Sequence, residues 1–220
     1  WSNEIQEALS NRNAKMAQYH ALSLLYQIKK SDRLAITKVV TALCKNPPKG
    51  ALAQCLLIRI ITSLLKKSCP PDNPFLRYLN ECLNDKNFII VYEAAKSICS
   101  LPSLSGVQVS PAVTVLQEFL PSPIPVQRFA AVKTLSRIVT KYPLLVSHCS
   151  SDLEHLITDP NRSIATLAVT TLLKTGVESN IDRLIKSITG FMNDINDEFR
   201  IVLVESIKTL CVKFPHKYHV

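Results

Sequence analysis

Residues 152–186, DLEHLITDPNRSIATLAVTTLLKTGVESNIDRLIK, decide the fold class. From Ile164 onward the apolar side chains fall at Ile164, Leu167, Ala168 and Leu172, the three- and four-residue spacing that lines one face of an α-helix. A shorter apolar run ends just before Asp159-Pro160-Asn161, so the stretch reads as two helices joined by a tight turn, residues 150–158 and 161–175. Gly176 follows at a helix end, where a left-handed backbone costs glycine little.

The same unit recurs outward in both directions. A small or apolar residue followed four positions later by Leu or Ile appears as Ala21/Leu25, Ala53/Leu57, Ala94/Ile98, Ala131/Leu135, Ala168/Leu172 and Leu203/Ile207. The anchors lie 32 to 41 residues apart, near the period of HEAT and armadillo repeats. Each anchor helix follows a shorter one. The predicted pairs are 2–9 with 13–30, 32–45 with 50–67, 73–84 with 87–101, 111–120 with 124–141, 150–158 with 161–175, and 179–191 with 196–214. At the last of these, Leu203, Ile207, Leu210, Cys211 and Phe214 share one face. Asn73-Pro74 and Ser110-Pro111 read as a cap residue with proline at the first helical position, and Ser179 with Asp182 resembles a capping box. Ala21, Ala131, Ala168 and Leu172 are expected in the core, where small residues let paired helices approach. The chain reads as all-α: a HEAT/armadillo-like, right-handed superhelical solenoid of about six helical pairs. It forms one domain over residues 1–220, because its proline-rich loops are too short to separate domains.

Composition agrees. Of 220 residues 47% are hydrophobic and 20% charged, a globular balance, and four Gly beside 13 Pro speak against a fold of many hairpins. The seven Cys, at 44, 55, 69, 82, 99, 149 and 211, form no CxxC pair and suit a reducing compartment. The chain opens on Trp1 with no signal peptide behind it, as a segment of a longer protein would.

Net charge is +9, and the excess has one source: from Lys15 to Lys67 there are ten basic residues and a single acid, Asp32. Lys29, Lys30, Lys45, Lys49, Lys66 and Lys67 form the candidate basic surface. Three uses compete: phosphate contacts on nucleic acid, apposition to an anionic membrane, and plain solvated helix faces. The cations are spread over several helices rather than set at one spacing, which argues against nucleic acid.

Chemistry of an enzymatic kind finds no support. There is no glycine-rich phosphate loop, nucleophile elbow or zincin helix, and His148 beside Cys149 points a different way on a helix. His216 and His219 have no carboxylate near them in sequence. No catalytic residue, metal ligand or cofactor is assigned. Asp159 with Arg162, and Asp197 with Arg200, repeat 38 residues apart and are expected to form a charged ladder between neighbouring repeats.

The words themselves carry a resemblance. Residues 152–186, with AQYHALSLLYQIKKSDRLA (17–35), VYEAAKSI (91–98), PAVTVLQEF (111–119) and RFAAVKTLSRI (128–138), resemble in the same order the adaptin-like trunk of coatomer gamma subunits. Clathrin-adaptor large chains share a looser form, including Tyr92-Glu93, and residues 46–73 match least well. The resemblance implies a non-enzymatic scaffold of the vesicle coat that serves Golgi-to-ER and intra-Golgi transport. It implies a cytoplasmic protein, peripheral on Golgi membranes and coated vesicles. Its expected partners are the small zeta subunit, of longin-like fold, the other coat subunits, and Arf-family GTPases through the longer trunk rather than this segment. Tyr19, Tyr26, Arg33, Tyr92, Glu93 and Arg128, polar or aromatic residues within the matching words, become candidates for partner contact. Intrachain packing or capping is the competing use of each. A nucleic-acid-binding or other generic HEAT scaffold, or a clathrin-adaptor large chain, is the alternative reading.

Overall fold

The computed structural model describes residues 2–11, 13–66, 73–175 and 197–213, and every regular element among them is helical. The helices are α1 (Ser2–Ser10), α2 (Lys15–Lys29), α3 (Arg33–Lys45), α4 (Ala51–Leu65), α5 (Pro74–Cys82), α6 (Phe88–Cys99), α7 (Gly106–Glu118), α8 (Pro125–Ile138), α9 (Pro143–Ser147), α10 (Ser150–His155), α11 (Arg162–Thr175) and α12 (Asp197–Lys213). A 3-10 turn, Leu156–Thr158, extends α10. Two compact units are distinguished, Trp1–Ala112 and Val113–Val220.

In the first unit α4 lies between α2 and α6, α1 packs on α2, and α3 and α5 pack on the row formed by α2, α4 and α6. The row is close-set because its contacts are made by small side chains: Ala21, Ala53, Ala94 and Ala95 are buried. Leu22, Leu57, Ile58, Ile61, Leu79 and Ile98 fill the remaining space. Where α4 begins, Gly50 is buried against α2, and a Cβ there would sit 3.2 Å from the Lys15 carbonyl oxygen. The closeness of the two helix starts favours glycine at that position, since a larger residue would push Lys15 aside by a few tenths of an ångström.

In the second unit α11 is central, with α8, α9, α10 and α12 packed around it. Ala131, Ala168 and Leu172 are buried, as expected of the anchors, and so is Leu203 of α12.

Local chemistry explains most boundaries. The Asn73 side chain accepts from the Phe75 N–H at 2.9 Å, with Pro74 at the first position. Asp32 caps α3 by accepting from the Ala35 N–H at 3.0 Å, and Asn87 caps α6 by accepting from the Ile89 N–H at 3.1 Å. One start differs from expectation. The helix predicted to open at Ser110-Pro111 opens at Gly106, with Pro111 inside it. The reason is an upstream cap, one half of a capping box: the Gln108 side chain accepts from both the Ser105 N–H at 3.0 Å and the Ser105 hydroxyl at 3.2 Å. Pro111 then forfeits one bond to the Val107 carbonyl, on a turn exposed enough for water to replace it. The helix predicted over 124–141 likewise stops at Ile138, and Pro143 opens the additional helix α9.

The helix predicted over 179–191, its Ser179/Asp182 cap, Gly176, Lys67, Cys69, Phe214, His216 and His219 lie outside the described residues.

Candidate functional site

The cations that are contiguous in sequence do not form one patch. Helix α4 is 15 residues long, about 22 Å end to end, and most of the basic residues gather at its two ends. Lys15, whose backbone touches Gly50, stands with Lys45 and Lys49 at the start. Lys29, Lys30, Arg33 and Lys66 stand at the finish, where an Arg33 guanidinium nitrogen lies 3.5 Å from the Leu64 carbonyl oxygen. Lys30 donates to the Gln27 side chain at 3.2 Å. All are exposed except Lys29, which is half-buried. Between the two ends stand Lys38 of α3 and Arg59 of α4, both exposed, with Arg59 engaged by Glu93.

The aromatic candidates are half-buried. Tyr19 meets His20 edge to face, with ring centroids 5.2 Å apart. Tyr26 lines an apolar cleft with Leu22, Leu25, Ile36, Val39 and Ile60, between α2, α3 and α4. Over the Tyr92 ring the Lys96 ammonium sits 5.9 Å from the centroid.

The two remaining candidates are engaged inside the chain. Glu93 is buried on α6, and its carboxylate accepts a two-pronged contact from Arg59 of α4, Nε at 2.8 Å and a terminal nitrogen at 3.2 Å. Lys96 adds a contact at 3.4 Å one turn along. Burial by itself would raise the Glu93 pKa. The Arg59 hydrogen bonds, with Lys96, overcome that effect and hold the carboxyl below its ordinary value. Arg128 of α8 donates through Nε to Asp159 at 2.7 Å and through a terminal nitrogen to the Ser122 carbonyl at 2.7 Å. The other Asp159 oxygen accepts from the Asn161 N–H at 2.8 Å, turning the chain into α11.

A third link joins Gln117 to Asp152 at 2.7 Å. The three links span 34, 31 and 35 residues, close to one repeat. Of the residues expected to form the ladder, Asp159 does link neighbouring pairs, but through Arg128 rather than through a member of the repeated Asp/Arg motif. Arg200 donates to Asp197 at 3.0 Å across one turn of α12. The missed partners had a visible signal: Arg59 and Glu93 are separated by about the period already found in the alanine anchors.

The thiols are poorly suited to nucleophilic work. Burial pushes Cys44 and Cys99 up to about 12 and Cys55, Cys82 and Cys149 up to about 11, the wrong direction for a thiolate. His148 is exposed while Cys149 is buried, so the adjacent pair is not directed to one place. No group of three potential metal ligands occurs among the described residues, and no described helix is long and apolar enough to cross a membrane.

Comparison with known proteins places this architecture. The chain is 51% identical to coatomer subunit gamma-2 of Oryza sativa subsp. japonica over 222 residues, covering 99% of this chain and 25% of that protein. It is 51% identical to coatomer subunit gamma of Dictyostelium discoideum over 218 residues, covering 99% and 24%. With coatomer subunit gamma-2 of Bos taurus the identity is 49% over 221 residues, covering 100% and 25%. The chain thus spans about a quarter of the length of these relatives. Among solved structures, an engineered protein matches with a TM-score of 0.63 at 16% identity, over 95% of this chain and 97% of its own. A designed armadillo repeat protein, solved in complex with the peptide (KR)4, matches at 0.62 and 15% identity, over 94% and 98%. These two likenesses show the fold, an all-α repeat solenoid. The family model described as the adaptin N terminal region matches residues 1–220, and the chain belongs to that family.

Proposed function

We propose that this chain is a trunk segment of a coat subunit of the coatomer gamma kind, a non-enzymatic helical scaffold that holds other coat subunits. The observation that carries this reading is the identity of about half of all positions along the whole chain with coatomer gamma subunits from plants, an animal and Dictyostelium. The physical design supports it: polar links about one repeat apart tie neighbouring helical pairs to each other, as in a stacked repeat array. On this reading the small zeta subunit docks on the trunk, Arf-family GTPases act through its longer form, and the coat serves Golgi-to-ER and intra-Golgi transport. It lies peripherally on an anionic membrane. The α4-start end, where Met16 and Leu52 stand exposed beside Lys15, Lys45 and Lys49, is the end we assign to lipid.

Co-expression tests the scaffold role. The chain, and a version extended at its N-terminus, are co-expressed with the zeta subunit, and co-purification of either is the expected result. Failure of both overturns the partner assignment.

A further inference from the structure

Helix α3 buries Ile36 and Val40 but presents a second, unused face. Leu34 is 76% exposed, the most exposed leucine of the first unit. With Ala35, Val39 and Ala42 it lines an open groove of about 590 Å³ whose far wall is Lys29 at the end of α2. Val39 and Lys29 also border the Tyr26 cleft, so the floor continues inward between α2 and α3. Thr37 and Thr41 donate their hydroxyls back to the carbonyls of Arg33 and Thr37, at 2.7 and 2.8 Å. Two polar groups of the outer face are thereby spent on the helix itself. The charge around the groove is mainly positive. Lys29 and Lys38 line it, Lys30 and Arg33 adjoin it in sequence, and the one carboxylate of its lining, Asp32, accepts from the Ala35 N–H at the start of α3.

An apolar floor recessed between cations is the complement of one kind of partner: a short amphipathic helix with Leu-type residues at i, i+3, i+4 and i+7 and Asp or Glu on its flanks. We propose that the α2–α3 groove is a docking site for an acidic amphipathic peptide segment of another protein. The apolar side chains of the segment lie on Ala35, Val39 and Ala42 beside Leu34, and its carboxylates meet Lys29, Lys30, Arg33 and Lys38. A lipid surface fits less well, because a bilayer is flat and would meet the exposed Leu34 and Ala42 while leaving the half-buried Ala35 and Val39 uncovered. This chemistry does not depend on the coat role, so each proposal can fail without the other.

The test uses the 220-residue chain and a fluorescein-labelled 16-residue peptide of leucines at i, i+3, i+4 and i+7 among glutamates, read by fluorescence anisotropy. Leu34→Ser and Ala42→Glu change exposed positions, so far-ultraviolet circular dichroism should remain that of the parent. Each, and Lys38→Glu, is expected to weaken binding about tenfold. Lys133→Glu and Arg137→Glu on α8, which remove the same charge elsewhere, are expected to change it less than twofold, and a peptide with alanine for every leucine is expected not to bind. Binding indifferent to Leu34→Ser and Ala42→Glu, or weakened equally by the α8 substitutions, overturns the site. Vesicles of phosphatidylcholine with phosphatidylserine that bind with the same Leu34 and Lys38 dependence, in place of the peptide, overturn it in favour of a membrane surface.

Discussion

The bridge Arg59–Glu93 in the first unit and the bridge Arg128–Asp159 in the second are built to one plan and placed in different surroundings. Each sets an arginine Nε on a carboxylate about one repeat away, at 2.8 and 2.7 Å. The side chain of Arg59 is 62% exposed, whereas those of Arg128 and Asp159 are 13% and 3% exposed. Water can therefore solvate Arg59 when its partner is removed, and can reach Arg128 only slightly. The repeat spacing decides which residues meet, and depth decides what the meeting is worth.

The largest effect is expected at the deeper bridge. Asp159→Ala leaves a buried guanidinium with only the Ser122 carbonyl, and should destabilise the second unit by about 3–5 kcal/mol in urea unfolding. Replacing both partners, as Arg128→Met with Asp159→Leu, should recover most of that loss, because no unpaired charge remains. Glu93→Ala should cost about 1 kcal/mol, because the Arg59 left behind is exposed and water solvates it. If Asp159→Ala proves no costlier than Glu93→Ala, burial does not separate the two bridges.

The pH dependence sharpens the comparison from the other side. The Glu93 carboxyl titrates lower folded than unfolded, so the unfolded chain binds its proton first as pH falls. Its contribution is complete above the ordinary carboxylate range, near about pH 4.3, and is lost as pH drops through the depressed folded value. Urea midpoints measured between pH 3 and 6 should fall less steeply for Glu93→Gln than for the parent. The last effect is on binding rather than stability: if the α4-start end faces lipid as proposed, Lys45→Glu with Lys49→Glu in the assembled coat should weaken binding to anionic liposomes, at about 1 kcal/mol per cation near the lipid surface. Lys29→Glu with Lys30→Glu, at the other end of α4, should weaken it less.

Much of the helical plan was legible because it depends on neighbours in sequence. The alanine anchors, the Asn73-Pro74 start and the turn at Asp159 all express local rules of helix period and capping. Ser105 and Gln108 obey such a rule too, and once their cap is recognised the position of Pro111 inside α7 follows. The Arg59–Glu93 bridge showed in the sequence only as a spacing, and the α2–α3 groove not at all, since each is made by helices that meet only after packing. The cations show the limit most plainly. Lys30 and Lys45 are 15 positions apart in one basic run, yet they stand at opposite ends of α4 because α3 reverses the chain between them.

Ile28 and Ile60 mark the boundary between the two kinds of information. Each lies seven residues after its anchor, Ala21 or Ala53, and period alone gives them one role. Ile60 is 3% exposed and Ile28 is 58% exposed. By itself the sequence determined that this chain is a run of amphipathic helical pairs with small residues at their contacts, because hydrogen bonding and side-chain period act within a few residues. Only the tertiary structure decided which equivalent side chains are covered, which charges pair and where an apolar face is left open, because each of these depends on which helix lies alongside.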